Sequence, residues 1–159
     1  MGGIPNLLND DSAFLSFLAV LTATEALAGL YAPRLGSGER FREFVTRYFP
    51  VGLNQDAQRL WQFRNAMTHS FNPGPYGLTH HNSRSHLTVS HGMTMPNAED
   101  FYAALLTATQ SYFATLVSDP ELQARCLERI RDAGGGAPQV WVVREDRAPN
   151  AAQTNKLLE

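Results

Sequence analysis

The sequence predicts a mainly α-helical fold, an up-and-down bundle of about five helices with a small β-hairpin inserted after the third. Three observations lead there. Apolar residues recur at three- and four-residue spacing in successive segments, proline or glycine falls between those segments, and alternation of apolar with polar residues is confined to short runs.

Residues 1–9 carry Gly2, Gly3 and Pro5 and read as a lead-in, after which Asp10, Asp11 and Ser12 offer caps for a first helix, Ala13–Tyr31. Phe14, Leu15, Phe17, Leu18, Leu21, Leu27 and Leu30 nearly encircle that helix, which places it among the others, and Pro33 and Gly36 stop it. A second helix over 38–49 follows from the spacing of Phe41, Phe44, Val45 and Tyr48, with Arg40, Arg42, Glu43 and Arg47 on its other side. In a third, over 54–68, Ala57, Leu60, Trp61 and Met67 share one stripe, and at about 100° per residue Arg64 falls inside it. Residues 71–77, rich in Pro and Gly, lead into 78–90, where Leu87 and Val89 alternate with His86, Thr88 and Ser90. A hairpin turning at Asn82-Ser83 is expected there.

The fourth helix, over 97–117, starts at Asn97 as N-cap with Asp100 three positions on, and turns Phe101, Leu105, Ala108, Tyr112, Phe113 and Leu116 inward. The fifth, over 121–133, opens after Asp119-Pro120 with Leu122, Cys126, Leu127 and Ile130 on its apolar face. Gly134, Gly135 and Gly136 end it, and Val140, Trp141, Val142 and Val143 form a short β-run. Residues 148–159 have no apolar period, so the expected organisation is one domain over 1–147 and a flexible tail over 148–159.

Composition narrows the function. With 13 Lys+Arg against 15 Asp+Glu the 159-residue chain carries a formal charge of −2, which argues against coating nucleic acid by bulk electrostatics and leaves only a local basic site. The single cysteine, Cys126, rules out an internal disulfide and a cysteine-based zinc cage, and it lies on an apolar face with no neighbouring histidine. Ser16, Thr22, Thr24 and Glu25 interrupt the longest apolar run, and no basic segment precedes it, so no membrane segment or secretory leader is expected and the location expected is cytoplasmic.

The segment that carries chemistry is Leu60-Trp61-Gln62-Phe63-Arg64-Asn65-Ala66-Met67-Thr68-His69-Ser70-Phe71. A guanidinium binds phosphate through two parallel hydrogen bonds, and an imidazole titrates near neutral pH. Arg64 and His69 stand about 140° apart on an ideal helix, so their meeting requires the last turn to loosen before Pro73 and Gly74. Glu25, inside the first helix among Leu21, Leu27 and Ala28, must reach solvent or meet a cation, and Arg64 is the evident candidate. The plain structural alternative is a buried arginine paired with Glu25 and a histidine favoured by the helix C-terminus.

The pattern Arg64-Asn65-x-x-x-His69, preceded by aromatic and aliphatic residues and followed by Ser70-Phe71-Asn72-Pro73, resembles the signature of the HEPN superfamily, small helical domains many of which are ribonucleases. The resemblance covers the motif helix and, more loosely, the helical order over 13–130. It implies that Arg64 holds the scissile phosphate, that His69 is general base or acid at the ribose 2′-hydroxyl, and that Asn65 orients one of them, with Glu25 in support. It implies RNA cleavage to a 2′,3′-cyclic phosphate without metal or cofactor, by a homodimer whose motifs share a cleft. It further implies a toxin or defence role, with a cognate antitoxin or effector protein as partner. The apolar surface of the first and third helices is the expected symmetric interface. A second reading keeps the same cleft but only binds RNA, a nucleotide or a protein.

Of the other histidines, His80, His81, His86 and His91, none is expected to hold a metal: His80 and His81 are adjacent on an extended segment and point to opposite faces, and no Asp, Glu or Cys lies between Asp56 and Glu99. His80 and Arg84 are read as contacts along an RNA path, and Trp61, Phe63, Phe71 and Tyr76 as core residues or platforms for bases.

Overall fold

Helix α1 (Ala13–Tyr31) runs through the middle of the structure, because apolar side chains surround it and each needs a partner. Around it pack α2 (Ser37–Tyr48), α3 (Ala57–Ser70), α4 (Ala98–Ser118) and α5 (Pro120–Asp132), with 3₁₀ turns at Ile4–Leu7, Asn54–Asp56 and Ser83–Ser85. The structure is a computed structural model that describes residues 3–132; the Gly134–Gly136 stop, the Val140–Val143 run and the 148–159 tail lie outside the described residues. Within the described residues the fold is the expected helical bundle with a two-stranded hairpin between helices.

The core is aromatic. Phe17, Phe63, Phe101 and Tyr76 form one group of tilted rings, and Phe44, Tyr48, Tyr112 and Tyr31 form a second with edge-to-face contacts. Burial of each such ring contributes about 1.5–3 kcal/mol. The buried hydroxyls Ser16 and Thr24 are satisfied inside α1, donating to the carbonyls of Ala13 and Val20 at 2.6 and 2.8 Å. Of the described helices, α1 alone has the length and mean hydropathy (1.8) of a membrane span, and it is the core helix of this bundle.

Several local expectations are corrected. The hairpin is β1 (Thr88–Ser90) against β2 (Met93–Met95), turning at His91-Gly92 rather than at Asn82-Ser83. His91 and Gly92 both adopt positive φ, 50° and 77°, the paired left-handed conformation whose twist suits a two-residue hairpin. Val89 is exposed, and the segment beyond Tyr76 instead runs parallel to β2, with Gly77 and Thr79 amides donating to the carbonyls of Thr94 and Pro96. Ser12 makes no side-chain cap on α1. Asn97 is the N-cap residue of α4, as expected, but its side chain makes no capping hydrogen bond: its Oδ1 accepts from the Asn82 amide at 3.0 Å and its Nδ2 donates to Asp100 at 2.6 Å. Phe113, Leu127 and Ile130, expected inward, are exposed, since nothing among the described residues covers the far sides of α4 and α5.

Tyr76 pins the inserted segment to the bundle, its hydroxyl donating to Asp56 at 2.9 Å and its ring lying 4.6 Å from that of Phe63. Close packing of the insert depends on Gly77, where a Cβ would overlap the Met95 sulfur. Gly77→Val is therefore expected to destabilise the fold by about 1–3 kcal/mol in denaturant unfolding, and the added Met95→Ala change to recover part of that loss.

Candidate functional site

Arg64 leaves the middle of α3 and forms an ion pair with Glu25 of α1, each side chain 18% exposed. Its Nη1 donates to the Asn65 side-chain oxygen at 3.0 Å, and its guanidinium lies 5.4 Å from the centre of the Trp61 ring. The anomaly in the sequence, a cation on an apolar stripe, is thus resolved by a carboxylate on the neighbouring helix. Asn65 orients the arginine, not the histidine. Trp61 in turn packs on Phe41, with ring centres 5.4 Å apart, and on Gly38, where a Cβ would stand 3.0 Å from the indole.

His69 is exposed, and its ring makes no hydrogen bond or ion pair with any described residue. The expected loosening of the last turn does not occur before it: α3 stays regular through Ser70. The helix ends one residue later, where Phe71 is left-handed (φ 49°) and the amides of Phe71 and Asn72 both donate to the Ala66 carbonyl. Phe71 is 67% exposed yet stacks on Phe14, with ring centres 5.9 Å apart, which ties the end of α3 to the start of α1. Within one chain Arg64 and His69 therefore occupy different turns of one helix. Phe63 and Tyr76 are core residues, Trp61 is half-buried, and Phe71 alone of these four offers an open ring face.

Beside Glu25 lies a pocket of about 250 Å³ lined by Thr22, Glu25, Ala26, Gly29, Arg40 and Arg129. Arg40 and Arg129 both lie over Gly29, at ordinary contact distance from where a Cβ would stand, and the buried Nε of Arg40 has no hydrogen-bond partner. Two half-buried guanidiniums facing one carboxylate already paired with Arg64 leave local positive charge, in a chain of net charge −2. Sequence reading placed Arg40 on the solvent side of α2 and gave Arg129 no role. Only the packing of both α2 and α5 on α1 brings them together.

The remaining expected site residues gather elsewhere. Arg84 is exposed in the 3₁₀ turn after Asn82, and with His81, Asn82, Ser83 and Glu99 it lines a shallow depression. His80 faces Asp10, its Nδ1 3.7 Å from the carboxylate, and His81 does not point away from it: the two rings lie 4.9 Å apart. The reason is backbone conformation, since His81 has φ 51° and the alternation of an extended strand is broken there. Glu99 accepts from the His81 amide at 3.0 Å and stands 2.9 Å from its Nδ1. Burial alone would raise the Glu99 carboxyl, but the amides of Glu99 and His81, the His81 ring and Asn97 together hold it below its ordinary range.

His86 is half-buried and its Nδ1 accepts the Asn97 amide at 3.1 Å. Burial lowers its pKa from 6.5, against the opposing charge of Asp100. The unfolded chain then binds a proton at a pH where the folded chain does not, so the stability this contact gives is present above about pH 6.5 and is lost as pH falls from there through the lower pKa of the folded state. His86→Gln should flatten the fall in unfolding free energy between about pH 7 and 5 in urea titrations.

Removing one partner of the Glu25–Arg64 pair strands the other charge. Glu25→Ala should cost about 1–3 kcal/mol, and replacing the pair by Leu and Met together should cost less than either single change, as a double-mutant cycle on thermal unfolding will read.

Compared with family models, with curated proteins and with solved structures, the chain matches none.

Proposed function

We propose that the chain is a metal-independent endoribonuclease of the HEPN type, acting as a homodimer. The observation that carries this reading is the contrast along α3: Arg64 is held by Glu25, Asn65 and Trp61, whereas His69, in the last turn of the same helix, has a free and exposed ring. A fixed cation can receive a phosphate without reorganising, and an unengaged imidazole can take a proton from a substrate hydroxyl. His69 removes the proton of the ribose 2′-hydroxyl, the 2′-oxygen attacks phosphorus, the bond to the 5′-oxygen breaks, and that oxygen takes up a proton. Arg64 neutralises charge on the non-bridging oxygens, with Arg40 and Arg129 receiving a neighbouring phosphate. The products are a 2′,3′-cyclic phosphate and a 5′-hydroxyl, and DNA, lacking the nucleophile, is not cut.

A second copy supplies the groups one chain lacks, with the α3 ends facing each other across the cleft. Little apolar surface is left on α1 and α3, where Leu15 and Phe71 are exposed, and more lies on α4 and α5 at Phe113, Val117, Leu127 and Ile130. The setting proposed is the cytoplasm, as a toxin or defence effector controlled by a cognate antitoxin or larger effector protein.

One observation favours a second reading, a module that binds RNA, a nucleotide or a protein without cutting: the Arg64 charge is already balanced by Glu25, and no described residue orients His69. The discriminating experiment incubates wild type and His69→Ala with transfer and single-stranded RNA in excess chelator. Cyclic-phosphate ends made by the wild type and absent with His69→Ala are expected. RNA retained in a mobility shift with no scission by either protein replaces the nuclease with the binding module, and scission unchanged in Arg64→Ala/His69→Ala removes the motif from the chemistry.

A further inference from the structure

We propose that Asp10, His80 and His81 form a binding site for a divalent transition-metal ion of the zinc class, one that fastens the segment before α1 to the bend after Thr79. This site is separate from Arg64 and His69 and does not rest on the ribonuclease reading.

The first ground is convergence. One carboxylate from the segment before α1 and two imidazoles from adjacent residues far along the chain place donor atoms within 4.8 Å of one another. Adjacent histidines do this only if the backbone between them departs from an extended strand, and the left-handed conformation of His81 supplies that departure. For a residue with a bulky side chain this conformation costs of order 1 kcal/mol or more, so it requires something to hold it. Glu99 does so in part, through the His81 amide.

The second ground is an unsatisfied atom. His80 Nδ1 is buried and has no hydrogen-bond partner, although the Asp10 carboxylate lies 3.7 Å away. That separation is too long for a hydrogen bond, but an ion about 2.1 Å from each atom would subtend about 120° between them, close to the tetrahedral range. A buried orphan nitrogen is uncommon because its desolvation is uncompensated, and a cation compensates it.

The third ground is the support behind the ligands. Metal-bound histidine typically gives its second ring nitrogen to a carboxylate, which fixes the tautomer and makes the ring a better donor. Glu99 Oε1 lies 2.9 Å from His81 Nδ1 and is itself buried without a hydrogen-bond partner, so it stands ready to take that ring proton once the imidazole turns to bind the ion through Nε2. Asp10 is 87% exposed, so water fills the remaining coordination positions. Two nitrogens and one oxygen suit zinc, cobalt, nickel or copper, not calcium or magnesium. His80, expected from sequence on the RNA path, is by this account a ligand.

The test is calorimetric titration of the metal-stripped full chain with Zn²⁺, together with the visible spectrum on adding Co²⁺. About one ion per chain is expected, at micromolar or tighter affinity, with a cobalt spectrum of low coordination number. The His80→Ala/His81→Ala protein should lose the binding and Glu99→Gln should weaken it about tenfold or more, while His69→Ala and His91→Ala retain it. Asp10→Asn, at an exposed position that cannot disturb the core, should weaken it as well, so the result does not depend on the double variant folding. Bound zinc should also raise the melting temperature and slow proteolysis before Ala13. Binding of equal stoichiometry and affinity in the His80→Ala/His81→Ala and Asp10→Asn proteins, or no binding by wild type at hundreds of micromolar Zn²⁺, overturns the proposal.

Discussion

A half-buried carboxylate and a half-buried guanidinium meet where α1 packs on α3, and most of what distinguishes this bundle from an ordinary one is arranged about that pair. Desolvating two charges is expensive, and their attraction recovers the cost only if geometry and additional hydrogen bonds are good. Here Asn65 supplies a hydrogen bond and Trp61 an aromatic face, while Gly38 lets the indole lie close to α2. The pair consequently fixes how α3 is rotated against α1, and with it the direction in which the last turn of α3 presents its side chains. Arg40 and Arg129 extend the same charged region across Gly29.

The segment between α3 and α4 is irregular yet well tied. Its four non-glycine residues or cap positions with positive φ, Phe71, His81, Leu87 and His91, each mark a change of direction, and the first three are held by contacts to the bundle. Phe71 leans on Phe14, Leu87 packs on the core, and His81 hangs its amide on Glu99. Backbone strain is thus offset by side-chain anchorage on α1 and α4 rather than by strand pairing, since the hairpin itself is three residues per strand.

Helix existence was legible because the core is built from periodic apolar residues and because Pro33, Pro50 and Pro120 interrupt it where the chain turns. The Glu25–Arg64 pair was legible for a related reason: a charge on an apolar stripe demands an opposite charge on a neighbouring stripe. The hairpin was placed one turn too early because Asn82-Ser83 has the composition of a turn, whereas His91-Gly92 makes one through its positive φ values. The same blindness to φ hid the approach of His80 to His81, and Asp10 completes that group from a segment with no periodic signal at all. Helix faces were over-read at Phe113, Leu127 and Ile130, where apolar periodicity continues past the neighbour that would cover it. Whether the end of α3 would unwind was a matter of cap geometry at Phe71, which spacing does not encode.

Asn97 is fully buried, and every polar atom it owns is engaged: its amide on His86, its carbonyl with Phe101, and its side chain between Asn82 and Asp100. The flanking residues repeat the theme, with Thr79 exchanging hydrogen bonds with Pro96 and Ala98. None of these bonds can open alone without leaving a buried polar group bare, so the bend at Thr79, the 3₁₀ turn after Asn82 and the first turn of α4 gain and lose their order together. The insert is in this sense a cooperative unit of the fold: its amide protons should exchange with solvent in step with those at the start of α4, not with the faster rhythm of a surface loop.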